Sequence, residues 1–205
     1  MDRLHDNRAG IIILATLAII SLVDVISRNV ILRESVLDIS NVGEPLITAL
    51  VSLMLIAFAI KGKDRIVYVL GGGWLAYFCF KQLFDLPGMV MTFLAAMENS
   101  DGFTDFAILI HVFTMVCFIA IGGLLVEYMN DGSIYNKPFN ILCIAIISML
   151  AINIFFAIYD IFVLNDVSAV IAIFNNLSRA MMLFLFTFFA YGSAKNQLRK
   201  VRFTE

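Results

Sequence analysis

Six runs without a charged residue dominate the chain, at 9–23, 45–60, 66–80, 106–126, 138–159 and 167–194, the last interrupted only by Arg179. A helix crossing a hydrocarbon core of roughly 30 Å needs about 20 residues. The last three runs meet that length unaided. The first three reach it when their ends are extended through Asp24, Lys81 or the snorkelling Lys61 and Lys63. Peptide groups in lipid must be paired within the chain, so runs this long predict helices rather than irregular spans. The expectation is an all-α polytopic transmembrane bundle of about six spans, one domain over 1–194 followed by a short basic tail over 195–205.

Two connections are more than turns. Residues 30–39 form an amphipathic stretch suited to the headgroup plane. Residues 88–97, after Pro87, are apolar but too short to span, and read as interfacial, re-entrant or simply a connector resting on the bundle. Either segment is placed to cover an outward-facing cavity.

Basic residues orient the bundle. With six spans and a cytoplasmic N-terminus, the inner side holds Arg3, Arg8, Lys61, Lys63, Arg65, Lys137, Lys195, Arg199, Lys200 and Arg202. The outer side holds Arg28, Arg33 and, near the boundary, Lys81. Both termini are therefore expected in the cytoplasm. The outer connections carry acids instead: Glu34, Asp38, Glu44, Asp85, Glu98, Asp101 and Asp105.

Composition agrees with the pattern. Of 205 residues, 61% are hydrophobic and 15% charged, with mean hydropathy +0.95; a soluble domain is nearer half apolar and a quarter charged. A soluble enzyme and a disordered chain are excluded on that ground, and a formal charge of −2 gives no sign of nucleic-acid binding. An integral protein of a bacterial plasma (inner) membrane is the expectation. Cys79, Cys117 and Cys143 lie singly in apolar runs, which suits neither a disulfide framework nor a zinc site. Arg3 and Arg8 before an apolar run resemble a secretory signal, but no small-residue cleavage site follows, so the run reads as an uncleaved first span.

Ionisable side chains inside spans are costly and usually face the bundle interior with a partner. Here they are Asp24, Lys81, His111, Asp160 and Arg179, accompanied by Asn153, Asn175 and Asn176. Depth along each run places them in the outer half or at the midplane, with Arg179 near mid-membrane and Asn175 one turn outward on the same face. Asn153 and Asp160, seven apart, share a face, and Trp74, Tyr77 and Lys81 recur at helical spacing on the third span. This aromatic stripe either lines an opening or faces core and lipid. Gly71–Gly73 and Gly122–Gly123 fall toward the inner side, where small residues permit close helix approach. The expected layout is a packed inner half beneath a polar outer half.

Arg179 has two readings. It forms a buried ion pair with Asp24 or Asp160 that fixes packing, or its guanidinium holds an anionic group entering from outside. His111 reads either as a satisfied bundle residue or as part of that site. Six residues separate His111 from Cys117, which points them in different directions, so they make no dyad. One histidine in the spans is too few for bis-histidine haem ligation. Metalloprotease, nucleophile-elbow, P-loop and dinucleotide patterns do not occur, and no catalytic residue, cofactor or metal is expected. In size and six-span layout, though in no motif, the chain resembles the small substrate-capture subunits of modular vitamin uptake transporters.

The function expected is non-enzymatic: binding, or helping to translocate, a small polar or anionic solute at Arg179, Asn175, Asp24, Lys81, His111, Asn153, Asp160, Trp74 and Tyr77. The alternative is a membrane-embedded sensor or scaffold subunit in signalling or defence, acting as a homo-oligomer or through a cytosolic or membrane protein partner docked at the basic tail. The lipid bilayer is a partner in either case.

Overall fold

The computed structural model describes residues 3–31, 39–99, 102–131 and 136–194. They form six helices and no strand: α1 (Arg3–Ile31), α2 (Ile39–Ile60), α3 (Asp64–Asn99), α4 (Gly102–Asp131), α5 (Asn136–Val163) and α6 (Ala169–Ala194). Five of them, all but α3, carry windows long and apolar enough to cross a membrane. The outward-facing side chains have the same character, with Ile12, Val30, Ile60, Ile141, Ile144, Phe155 and Phe162 exposed. Water would not tolerate so much contiguous apolar surface on a monomer; hydrocarbon does. The chain is an integral membrane protein, a helical bundle.

Polar side chains within the helices mostly hydrogen-bond to their own backbone. Thr16, Thr48, Ser52 and Thr114 each donate to the carbonyl four residues earlier, at 2.9, 2.9, 2.8 and 2.8 Å. A hydroxyl bonded this way needs no water. Helix ends are closed by backbone geometry. Gly62 takes φ 66° after α2, Gly62 N–H reaches the Ala59 carbonyl at 3.0 Å and Lys63 N–H the Phe58 carbonyl at 3.0 Å. That is the glycine-terminated C-cap that lets the chain reverse within three residues. After α5, Asn165 plays the same part with φ 55°, and Asp166 then accepts from the N–H and hydroxyl of Ser168 ahead of α6.

The helices form a ring in chain order, with α6 closing onto α1 and also touching α3 and α4. Successive neighbours pack closely, except that α2 and α3 touch least. The core runs through all six, including Leu17, Leu55, Leu75, Phe118, Ile146 and Phe186, each fully buried. Phe78 and Phe118 meet edge to face at 5.3 Å across α3 and α4.

Three sequence expectations change. Residues 88–97 are neither re-entrant nor a connector: α3 continues through Pro87 to Asn99 as a helix of 36 residues. The absent proline N–H costs one hydrogen bond, but Thr92 and its neighbours carry the helix on, its hydroxyl donating to the Gly88 carbonyl at 3.0 Å. Second, close approach belongs to fewer glycines than the sequence suggests. A Cβ on Gly122 would stand 2.4 Å from the Cβ of Cys79, whereas Gly73 and Gly123 face open space. Gly10, which the sequence did not single out, lies against the Phe188 ring where α1 meets α6. Third, α2 begins six residues before Pro45, which places Glu44 on a helix and not in an outer connection. The amphipathic stretch at 30–39 lies largely outside the described residues, since α1 runs to Ile31 and 32–38 are not described; the tail at 195–205 also lies outside them.

Candidate functional site

Antiparallel packing of α1, α2, α3 and α6 brings their polar residues to one end of the bundle's interior. The same helices close the space below it. Leu17, Leu55, Leu75 and Phe186 are fully buried members of one cluster. They stand seven residues from Asp24, seven from Thr48, six from Lys81 and seven from Arg179 respectively. Seven residues are about two turns, so Leu17, Leu55 and Phe186 lie near the same face as their polar counterparts and roughly 10 Å deeper, while Leu75 lies about 9 Å deeper on another side of α3. An apolar floor of leucine and phenylalanine, more than a glycine seam, seals the polar cluster on that side.

Above the floor the polar residues border three adjoining cavities. The first, about 170 Å³, is lined by Asp24, Arg28, Glu44, Asn175, Ser178 and Arg179, among others. A second, about 240 Å³, opens between α2 and α3 and is lined by Glu44, Thr48, Trp74, Tyr77, Phe78 and Lys81, among others. The third, about 320 Å³, includes His111, Asn153, Phe156, Asp160, Asn175 and Asn176 in its walls. Glu44, Thr48 and Phe78 are common to the first two, and Asn175 to the first and third. All nine sequence-predicted site residues therefore border one of these three cavities.

Two of the three cations near these cavities are held by carboxylates, and Arg179 is not. Arg28 Nε donates to Asp24 Oδ1 at 3.1 Å, and the Asp24 side chain is 6% exposed. Lys81 bridges to Glu44 of α2 and sits 3.6 Å from Asp85 one turn along α3. Arg179 pairs with neither Asp24 nor Asp160, contrary to the expectation of an ion pair. Asp24 already belongs to Arg28, and no carboxylate among the described residues lies within ion-pair distance of Arg179. Its Nη1 instead lies 3.1 Å from Nδ1 and 3.3 Å from Nε2 of His111. A guanidinium has five donors and no acceptor, so the ring nitrogen that receives this bond carries no proton. His111 thus anchors one edge of the guanidinium without neutralising it.

Among the buried donors with no partner among the described residues, two belong to cavity-lining residues: Asn153 Nδ2 at the third cavity and Trp74 Nε1 at the second. Trp74 stacks on Tyr77 with centroids 5.6 Å apart and planes at 29°, which holds the aromatic stripe against the α2–α3 seam. Asn176, also in the wall of the third cavity, donates to the Ala172 carbonyl at 2.8 Å.

The chain matches no family model, no curated protein and no solved structure. The site must be read from its own residues. Among the described residues no cluster of His, Cys, Asp and Glu could hold a metal ion. Sequence reading missed Glu44, Arg28, Thr48 and Ser178, all in the first cavity. Two of the ion pairs had a visible signal, since Asp24–Arg28 and Lys81–Asp85 are each four residues apart, the spacing at which helical side chains meet. Glu44 had none, because a proline at the next position suggested a helix start beyond it.

Proposed function

We propose that this protein binds a small anionic solute at Arg179, from the end of the bundle where its polar residues gather, and helps move that solute across the membrane. The single observation that carries this reading is that Arg179 borders the first cavity with no carboxylate within ion-pair distance among the described residues. The two carboxylates in the same wall are engaged elsewhere, Asp24 by Arg28 and Glu44 by Lys81. An unmatched cation in a low-dielectric bundle is expensive. A carboxylate or phosphate oxygen accepting from its free edge offsets that cost through short, charge-assisted hydrogen bonds. Ser178 and Asn175 add neutral hydrogen-bonding groups around the same space.

The chemistry is recognition and not catalysis. His111 spends its lone pair on Arg179, and the buried thiols of Cys79 and Cys143 border none of the three cavities. Calorimetric titration of the purified protein in lipid nanodiscs with acetate, butyrate, succinate and inorganic phosphate tests the reading. Saturable binding of at least one, lost in Arg179→Gln, is expected; no heat from any of them overturns it.

The solute is taken to arrive from outside a bacterial inner membrane, with six spans and both termini in the cytoplasm. Two features support six. Helices α3 and α4 pack along each other with α3 ending at Asn99 and α4 beginning at Gly102, and at 36 residues α3 is long enough to span despite its polar centre. Reporter domains fused after residue 205 and inserted between 99 and 102 should report opposite sides of the membrane. If both report the same side, the span count is wrong by one.

A further inference from the structure

The second cavity suggests what kind of anion this is and how it enters. The α2–α3 seam is the loosest between successive helices in the ring, and the cavity there is lined by Trp74, Tyr77 and Phe78. Its lip reaches the bundle surface, since Tyr77 is 58% exposed and Ile47 beside it is 47% exposed. On an integral membrane bundle, exposed apolar and aromatic side chains such as these are the ones that meet lipid. The only ion pair joining the two helices among the described residues is Lys81–Glu44. Inward, the cavity shares Glu44, Thr48 and Phe78 with the one that Arg179 borders. A largely apolar, aromatic space at the bundle surface thus adjoins a polar space bordered by a cation that has no carboxylate within ion-pair distance.

We infer that the solute is a single-chain anionic amphiphile that enters sideways between α2 and α3, its alkyl tail along Trp74 and Tyr77 and its acidic head at Arg179. This rests on the anion-binding reading of Arg179 and adds the tail and the route. The two cavities, about 240 and 170 Å³, together fall within the roughly 300–1,000 Å³ usual for small-molecule sites. The head meets donors along the way: the Lys81 ammonium at the seam and the Trp74 Nε1–H, buried and without an acceptor among the described residues. Lys81 at the seam is already held by Glu44 and Asp85, and Arg179 is the cation with no carboxylate within ion-pair distance, which makes it the end point.

Trp74 is the sole tryptophan of the chain, so its fluorescence reports this cavity alone. In phosphatidylcholine vesicles, 11-bromoundecanoate should quench Trp74 saturably, because bromine on the tail would lie beside the indole. Its methyl ester, which partitions into lipid but lacks the charged head, should give only a shallow, unsaturated decline. In Arg179→Gln the half-saturating concentration of the acid should rise at least tenfold. Equal quenching by acid and ester overturns the inference, and so does an unchanged curve in the variant. The acid–ester comparison is made on the wild-type protein, so it decides the matter even where the variant folds poorly. If acetate or phosphate still binds in an Arg179-dependent way while acid and ester quench alike, the amphiphile fails and the anion site stands. If the short anions and the brominated acid all fail to bind, both readings fall together.

Discussion

Arg179→Gln is expected to weaken anion binding by at least about 100-fold while leaving the bundle as thermally stable as the wild type, or a few degrees more so. The two effects have one cause. A hydrogen bond to a charged group contributes about 1.5–3 kcal/mol, so losing a two-pronged contact and its charge amounts to about 3 kcal/mol or more, beyond two orders of magnitude in Kd. Stability moves the other way because no acid is abandoned. The described neighbours within hydrogen-bond reach of Arg179 are the two ring nitrogens of His111, and Gln can donate to the same ring. A charge at the bilayer centre costs about 2.5–3.5 kcal/mol on insertion scales, and the variant removes it. Titration calorimetry and thermal denaturation in one detergent measure both. A melting temperature lowered by five degrees or more would show that Arg179 holds the bundle together through a carboxylate.

Arg28→Met is expected to be the opposite case, a variant that destabilises without touching Arg179. The Asp24 carboxylate is nearly buried and accepts its ion-pair hydrogen bond from Arg28. Removing one member of a buried pair costs about 3–5 kcal/mol, because the other is left charged and unsolvated. Asp24 borders a cavity, which brings the expected loss to about 3 kcal/mol. The double variant Asp24→Asn with Arg28→Met should recover most of it, since it removes both charges of the pair. Lys81→Met is the comparison: its partners Glu44 and Asp85 have side chains 49% and 47% exposed, and such pairs contribute about 1 kcal/mol or less. Reversible unfolding in mixed micelles ranks the three variants. Additive losses in the Asp24–Arg28 cycle would mean that the two side chains do not depend on each other.

Neither result follows from sequence position alone, and the reason is visible in particular residues. That Asp24, Lys81, His111, Asn153, Asp160 and Arg179 would gather was legible, because an ionisable group in an apolar run can escape lipid only by facing the interior. Which group would face which was not. Arg179 lay within sequence reach of two acids, yet one turn of α1 supplies Asp24 with Arg28, and the packing of α6 against α4 supplies Arg179 with His111. Glycine was legible as a permit for close approach, but Gly122 meets Cys79 while Gly123, one residue on, faces open space. A shift of 100° around a helix separates a contact from none.

The hydrophobic runs by themselves determined a helical membrane bundle, because backbone hydrogen bonding in lipid leaves a run of some twenty apolar residues no other form. They also determined that the polar side chains would be few and interior. Tertiary structure decided the rest: the continuation of α3 through Pro87, the inclusion of Glu44 in α2, the loose α2–α3 seam, the apolar floor under the cavity and the one cation left unmatched. These depend on angles and offsets between helices, and such quantities arise only when side chains from different parts of the chain compete for the same space.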